Sequence, residues 1–161
     1  MFRTLSSIRV LITSLLVLFA AAAALAADLQ APDMVKMGLH ILAGVYGDMD
    51  RKLAAGQYDR LPHENQEFQE GSGALRDAVA HEPAPFKAKV EATLKDTLAA
   101  AQKVADTSQT HDKAQVSAAL AALASSMKTL NALFPAPLRA EPGTVDPPWM
   151  QHGAKAPPPN K

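Results

Sequence analysis

The sequence predicts an all-α protein whose four helices form an antiparallel, up-down-up-down bundle. Only 5% of the 161 residues are aromatic, whereas alanine and leucine are abundant, and this composition favours long helices over β-sheets. Four segments between residues 27 and 134 carry apolar residues at helical spacing. The connections between these segments are short, which favours antiparallel packing of consecutive helices.

Residues 1–26 precede the bundle and are predicted to be a cleavable signal peptide. Arg3 and Arg9 come before an apolar run, and Ala24-Leu25-Ala26 is a small-x-small motif suited to cleavage before Ala27. The alternative is a retained membrane anchor, because the run approaches the ~18 residues that can span a bilayer. Cleavage predicts a periplasmic protein with no stable membrane span and a net charge of −2, from 14 basic and 16 acidic side chains.

The composition excludes several classes of function. The chain contains no cysteine, so it has no disulfide, no cysteine-based zinc site and no thiol nucleophile. Its charge lacks the basic excess of nucleic-acid-binding proteins. No Gly-rich phosphate loop, Gly-x-Ser-x-Gly motif or carboxylate pair in an apolar segment is present. We therefore expect a protein that is not an enzyme.

The first helix is predicted from Pro32 to Ala55. Proline suits the first turn of a helix, and Gly56 can end one in the left-handed conformation. At about 100° per residue the apolar side chains form one broad face, which we expect to pack in the core, while His40 lies on the opposite, polar face. The apolar face comprises Met34, Val35, Leu39, Ile41, Leu42, Val45, Tyr46, Met49 and Leu53.

The second and third helices are also predicted from proline positions and from apolar residues at helical spacing. The second is predicted from Pro62 to His81, and it is the weakest because Gly71 and Gly73 each cost ~1 kcal/mol inside a helix. The third begins after Pro83 and carries one apolar stripe. That stripe comprises Phe86, Val90, Leu94, Leu98, Ala101 and Val104.

The fourth helix has the clearest start signal. Asp112 and Gln115 form an Asp-x-x-Gln variant of the capping box. The apolar residues that follow alternate between spacings of four and three, which is typical of the a and d positions of packed helices. They are Val116, Leu120, Leu123, Met127, Leu130 and Phe134.

The last segment, residues 135–161, is predicted to be a flexible, Pro-rich tail. Eight of its 27 residues are proline, which removes backbone donors and disfavours helix at the preceding residue. The folded domain is therefore assigned to residues 27–134.

Three local stretches resemble a known family. Val35-Lys36 precedes an apolar helix that reaches Met49, Phe86-Lys87-Ala88-Lys89 opens the third helix, and Ser126-Met127-Lys128-Thr129-Leu130-Asn131-Ala132-Leu133-Phe134 ends the fourth. In these stretches the chain resembles the cytochrome c-prime family of exported four-helix bundles. The resemblance implies a haem near the end of the last helix, held by a Cys-x-x-Cys-His motif.

This sequence departs from the family at that motif. The two cysteine positions would fall on Met127 and Leu130, the histidine on Asn131, and the distal haem position on Leu42. Methionine and leucine form no thioether bond to haem, and asparagine is a poor iron ligand. We therefore expect a haem-less relative with no covalently bound cofactor. Non-covalent haem b is the alternative, with Met34, Met49 or Met127 as core-facing axial ligands.

Methionine and histidine offer the remaining candidate sites. Met34, Met37 and His40 are spaced three residues apart, and thioether and imidazole ligands suit Cu(I), although methionine also fills gaps in cores. His63 and His111 should lie at one end of the bundle. With Glu64, Glu67 and Asp112 nearby, they are candidate zinc ligands, or simply exposed histidines.

The tail carries a further cluster at Trp149, Met150 and His152. Trp149 is expected to pack back onto the bundle. Two alternatives stay open, a docking peptide anchored by the indole and a weak Cu(I) site formed by Met150 and His152. Taken together, the sequence predicts a periplasmic, non-enzymatic binding or interaction protein, with a haem b carrier and a copper-binding protein as alternatives. Its partner is a periplasmic protein or a metal ion, and a homodimer is left open.

Overall fold

A computed structural model describes residues 29–143. Within this range the chain is all-helical, with four α-helices and no strands, which confirms the predicted helical class. The helices are α1 (Pro32–Ala54), α2 (Leu61–Ala78), α3 (Ala84–Ser108) and α4 (Lys113–Asn131). Two short 3-10 helices, Tyr58–Arg60 and Ala136–Leu138, precede α2 and follow α4. No helix between residues 29 and 143 is long and apolar enough to cross a membrane.

The helix ends follow local sequence signals. Gly56 has a φ of +70° just after α1, as expected for a helix stop. Asp112 caps α4, since its Oδ1 accepts hydrogen bonds from the backbone N–H groups of Ala114 and Gln115. The side chain of Gln115 donates to the Asp112 carboxylate at 2.8 Å. In a full capping box it would instead bind the Asp112 backbone, whose N–H donates to Thr110.

One apolar core holds the helices together. Consecutive helices pack against each other, and α1 also contacts α4. The largest fully buried side chains come from all four helices and from Val79 and Phe134, which lie just after α2 and α4. Burying such side chains is the main favourable contribution to folding.

Glycine lets α1 and α2 approach closely. A Cβ added at Gly38 would lie 3.1 Å from the backbone of Leu75, and one added at Gly71 would lie 2.6 Å from a methyl group of Ile41. Gly71 was predicted only to weaken α2, yet the helix runs through it without a break. Its missing side chain is what allows the two helices to meet at this distance.

The chain does not leave the bundle at Phe134. The 3-10 helix Ala136–Leu138 packs on α1, Arg139 Nε donates to the Phe134 carbonyl at 2.8 Å, and Ala140 is buried. At least six residues of the segment predicted as a flexible tail, Pro135 to Ala140, therefore belong to the packed structure. The predicted signal peptide and residues 144–161 of the tail lie outside the described residues.

Candidate functional site

The four positions of the expected haem site lie inside the folded protein. Leu42 on α1 and Met127, Leu130 and Asn131 on α4 are all buried, with Met127 only 2% exposed. Leu42, Met127 and Leu130 belong to the continuous apolar core. These side chains fill the place where the family resemblance would put a cofactor.

Asn131 has a structural role at the position of the expected haem ligand. Its Nδ2 donates to the Ala140 carbonyl at 2.7 Å, and its Oδ1 accepts the Ala140 N–H at 3.2 Å. The amide thus satisfies both backbone groups of a buried residue nine positions later. We refer to this pair of hydrogen bonds as the Asn131 clamp. Both polar atoms of the side chain are used, so neither faces a ligand.

The residues at this site do not fit a haem. Thioether attachment is impossible at Met127 and Leu130, and the Asn131 clamp occupies the ligand position. Of the three methionines considered as axial ligands, Met49 and Met127 are packed in the core. Met34 was predicted to face the core, and that prediction is wrong, because its side chain is 45% exposed.

Val35, and not Met34, takes the buried position in the first turns of α1. Val35 is fully buried, and Gly38, one turn after Met34, packs against Leu75 in the last turn of α2. Met37 lies beside Gly38 at the level of Leu75 and is 51% exposed. The exposure of the two methionines therefore does not depend on where α2 ends.

Met34 and Met37 form the main exposed apolar feature of the described surface. Met37 is 51% exposed, and between residues 29 and 143 these two are the only large apolar side chains with such exposure. Both lie on the same side of α1 as Ile41, which is half-buried and one turn further along. We call Met34, Met37 and Ile41 the methionine surface.

A shallow groove of about 460 Å³ continues from this surface. It lies between α1 and α2, so a ligand in it would contact both helices. Its acidic side is formed by two glutamates of α2. The lining residues are Ile41, Val45, Glu67, Glu70, Gly71 and Ala74.

His40 borders the methionine surface one turn after Met37 and is half-buried. Burial, and after it the charge of Lys36, lower the pKa of His40 below its ordinary value of 6.5. Both effects favour the neutral imidazole, whose unprotonated ring nitrogen can accept a hydrogen bond.

Two buried carboxylates lie farther along the contact between α1 and α2. Asp48 is paired with Arg51 at 2.6 Å, whereas no cation lies within salt-bridge distance of Glu64 in the described structure. Burial, and after it the charges of Glu67 and Asp48, raise the pKa of Glu64 above its ordinary value of 4.5; Lys52 and His63 partly oppose this shift. The raised pKa of Glu64 therefore depends on the packing of α1 against α2.

The two loop-end histidines lie at the same end of the molecule but bind different acids. His63 Nε2 lies 3.2 Å from Glu67 Oε1, and His111 Nε2 lies 3.1 Å from Asp59 Oδ1. His111 also stacks on Tyr58, with ring centroids 5.2 Å apart. Asp112, predicted as a further zinc ligand, is engaged in capping α4. Between residues 29 and 143 no three His, Asp or Glu side chains are grouped so as to hold a metal.

The tail cluster of Trp149, Met150 and His152 lies outside the described residues, so its three interpretations stay predictions.

Sequence reasoning missed the α1–α2 groove and the Asn131 clamp. Both depend on contacts between different segments of the chain, which helical spacing alone does not predict. No protein-family model, curated protein or solved structure matches this chain.

Proposed function

We propose that this chain is an exported, non-enzymatic binding protein that holds its ligand on the methionine surface, outside the core. One observation carries the proposal, namely the pair of adjacent, exposed methionines beside a groove, in a protein whose interior is filled at the expected cofactor site. Exposed apolar patches with polar borders are typical of interaction sites. Methionine is common on such surfaces because its thioether is flexible and polarisable.

The bundle is proposed to be antiparallel, in up-down-up-down order and related to the cytochrome c-prime architecture. Pairs of neighbours in α1 and α2 support the antiparallel order, since Gly38 meets Leu75 whereas Ile41, later in α1, meets Gly71, earlier in α2. The connections of a few residues between helices agree with this order.

Export to the periplasm is the second part of the proposal. The basic N-terminus, the apolar run and the small-x-small motif at Ala24-Leu25-Ala26 support it. A haem b carrier is disfavoured, because the two core methionines are already packed among apolar side chains. Copper binding stays as the second candidate, because two exposed thioethers and one half-buried imidazole follow one another along α1.

Native mass spectrometry tests this proposal directly. The full chain would be expressed in a bacterial host and recovered from the periplasm, beside the variant M34Q/M37Q. We expect a chain that begins at or near Ala27 and carries a bound species, which the variant lacks although its helical circular dichroism and Tm are unchanged. Stoichiometric haem, an intact Met1, or equal occupancy of the two proteins would each contradict the proposal.

A further inference from the structure

The donor atoms of the methionine surface identify a class of ligand. Met34 and Met37 offer two exposed thioether sulfurs, and His40 adds a half-buried imidazole. Thioethers are soft ligands that bind Cu(I) and interact weakly with Zn²⁺, Ca²⁺ or Mg²⁺. None of the three side chains takes part in a hydrogen bond or ion pair recorded between residues 29 and 143.

The helix places these donors along a single path. Each step of three residues advances about 4.5 Å along the axis and turns the side chain by about 60°. Met37 is therefore adjacent to both Met34 and His40, while those two are about 9 Å apart along the axis. An ion bound to the sulfur of Met37 would have one candidate donor three residues away on either side, the spacing at which helical side chains are neighbours.

Charges of both signs surround this place. Glu67 and Glu70 line the groove that begins beside Ile41, whereas Lys36 is the basic residue next to His40. The carboxylates attract a cation and Lys36 repels one, so the selectivity for Cu(I) comes from the soft thioether donors.

We propose that Met34, Met37 and His40 bind one Cu(I) ion on the outer surface of α1, with Met37 as the central ligand. This inference rests on the proposed function, because it names the ligand of the methionine surface. The binding involves no redox step, since copper arrives and stays in the Cu(I) state.

A competition titration with a chromogenic Cu(I) chelator, under anaerobic and reducing conditions, tests the site in the mature full-length chain. We expect the wild type to withdraw one equivalent of Cu(I). The variant M37L keeps the apolar volume but loses the sulfur, and its affinity should fall by at least the roughly tenfold to hundredfold that loss of a residue supporting a metal ligand costs. M34L and H40Q should lose less, because each leaves Met37 and one neighbouring donor in place.

Two control variants separate this site from the other methionines. M49L removes a buried thioether of the same helix, and M150L/H152Q removes the candidate donors of the tail. Both should bind Cu(I) like the wild type. Unchanged affinity in M37L, or loss of binding in M150L/H152Q alone, would overturn the proposal.

Comparison of leucine and glutamine variants distinguishes failure of the copper proposal from failure of the proposed function. If the bound species of the native protein is lost in M34Q/M37Q but kept in M34L/M37L, the surface holds an apolar ligand. The copper proposal is then wrong and the proposed function stands. If neither double variant changes occupancy, both proposals are wrong.

Discussion

The four methionines between residues 29 and 143 form two pairs with opposite surroundings. Met49 and Met127 are packed in the core, whereas Met34 and Met37 are about half exposed. All four lie on amphipathic helices, so residue type does not separate them. What differs is the packing around them, because Met49 and Met127 belong to the apolar core, whereas Met34 and Met37 lie beside the buried residues Val35 and Gly38 of α1. The same side chain therefore serves as core filler in one region and as an exposed thioether in the other.

Alanine substitutions should separate the two pairs by the largest margin. Met127→Ala removes a packed side chain and leaves a cavity, which should lower the free energy of unfolding by about 2–5 kcal/mol. Met37→Ala removes mostly solvated surface, so the change should stay within about 0.5 kcal/mol. Urea unfolding followed by circular dichroism measures both. Equal losses in the two variants would mean that Met37 is covered in solution, and the comparison would fail.

The burial of Met49 and Met127 was predicted from the sequence, whereas the exposure of Met34 was not. Met127 lies on the regular four-three stripe of α4, and local spacing alone assigns it to the core. Met34 lies on the apolar face of α1 by the same reasoning, yet it is 45% exposed, while the adjacent Val35 is buried. A helical pattern gives the direction of a side chain, but the packing of the neighbouring segments decides whether that side chain is covered.

The helix starts and the Asp112 cap were also predictable, because they depend on residues within one turn of each other. The Asn131 clamp was not, since it joins α4 to a residue in a segment rich in proline. Composition correctly indicated that this segment forms no long helix. It could not indicate that Ala140 packs against the bundle, because that contact depends on one buried amide.

Removing the Asn131 clamp should have the next largest effect. Asn131→Ala leaves the backbone N–H and carbonyl of Ala140 buried without partners, which should lower the free energy of unfolding by about 1–3 kcal/mol. Lys128→Ala, an exposed change on the same helix, is the matched control and should be nearly neutral. A chain ending at Phe134 should be less stable than one ending at Gly143, because it lacks Ala140. Equal stability of the two shortened chains would show that the clamp contributes nothing.

The smallest expected effect concerns Glu64, a buried carboxylate at the contact between α1 and α2. Burial and the charges of Glu67 and Asp48 raise the pKa of Glu64 in the folded state. The folded protein thus binds this proton more tightly than the unfolded chain does. Below the ordinary pKa of 4.5 the carboxyl is protonated in both states and carries no penalty. As the pH rises through the folded-state pKa, ionisation of Glu64 lowers stability.

Glu64→Gln removes that titration while keeping the shape of the side chain. Its Tm should equal that of the wild type below about pH 4 and exceed it at neutral pH, since the unfolded chain no longer gains from releasing the proton. Thermal unfolding at a series of pH values measures the difference, with Glu70→Gln on the exposed side of α2 as the control. A Tm difference that is constant across the series would assign the effect to packing. A Tm difference that grows as the pH rises would assign the loss of stability to the ionisation of the buried Glu64.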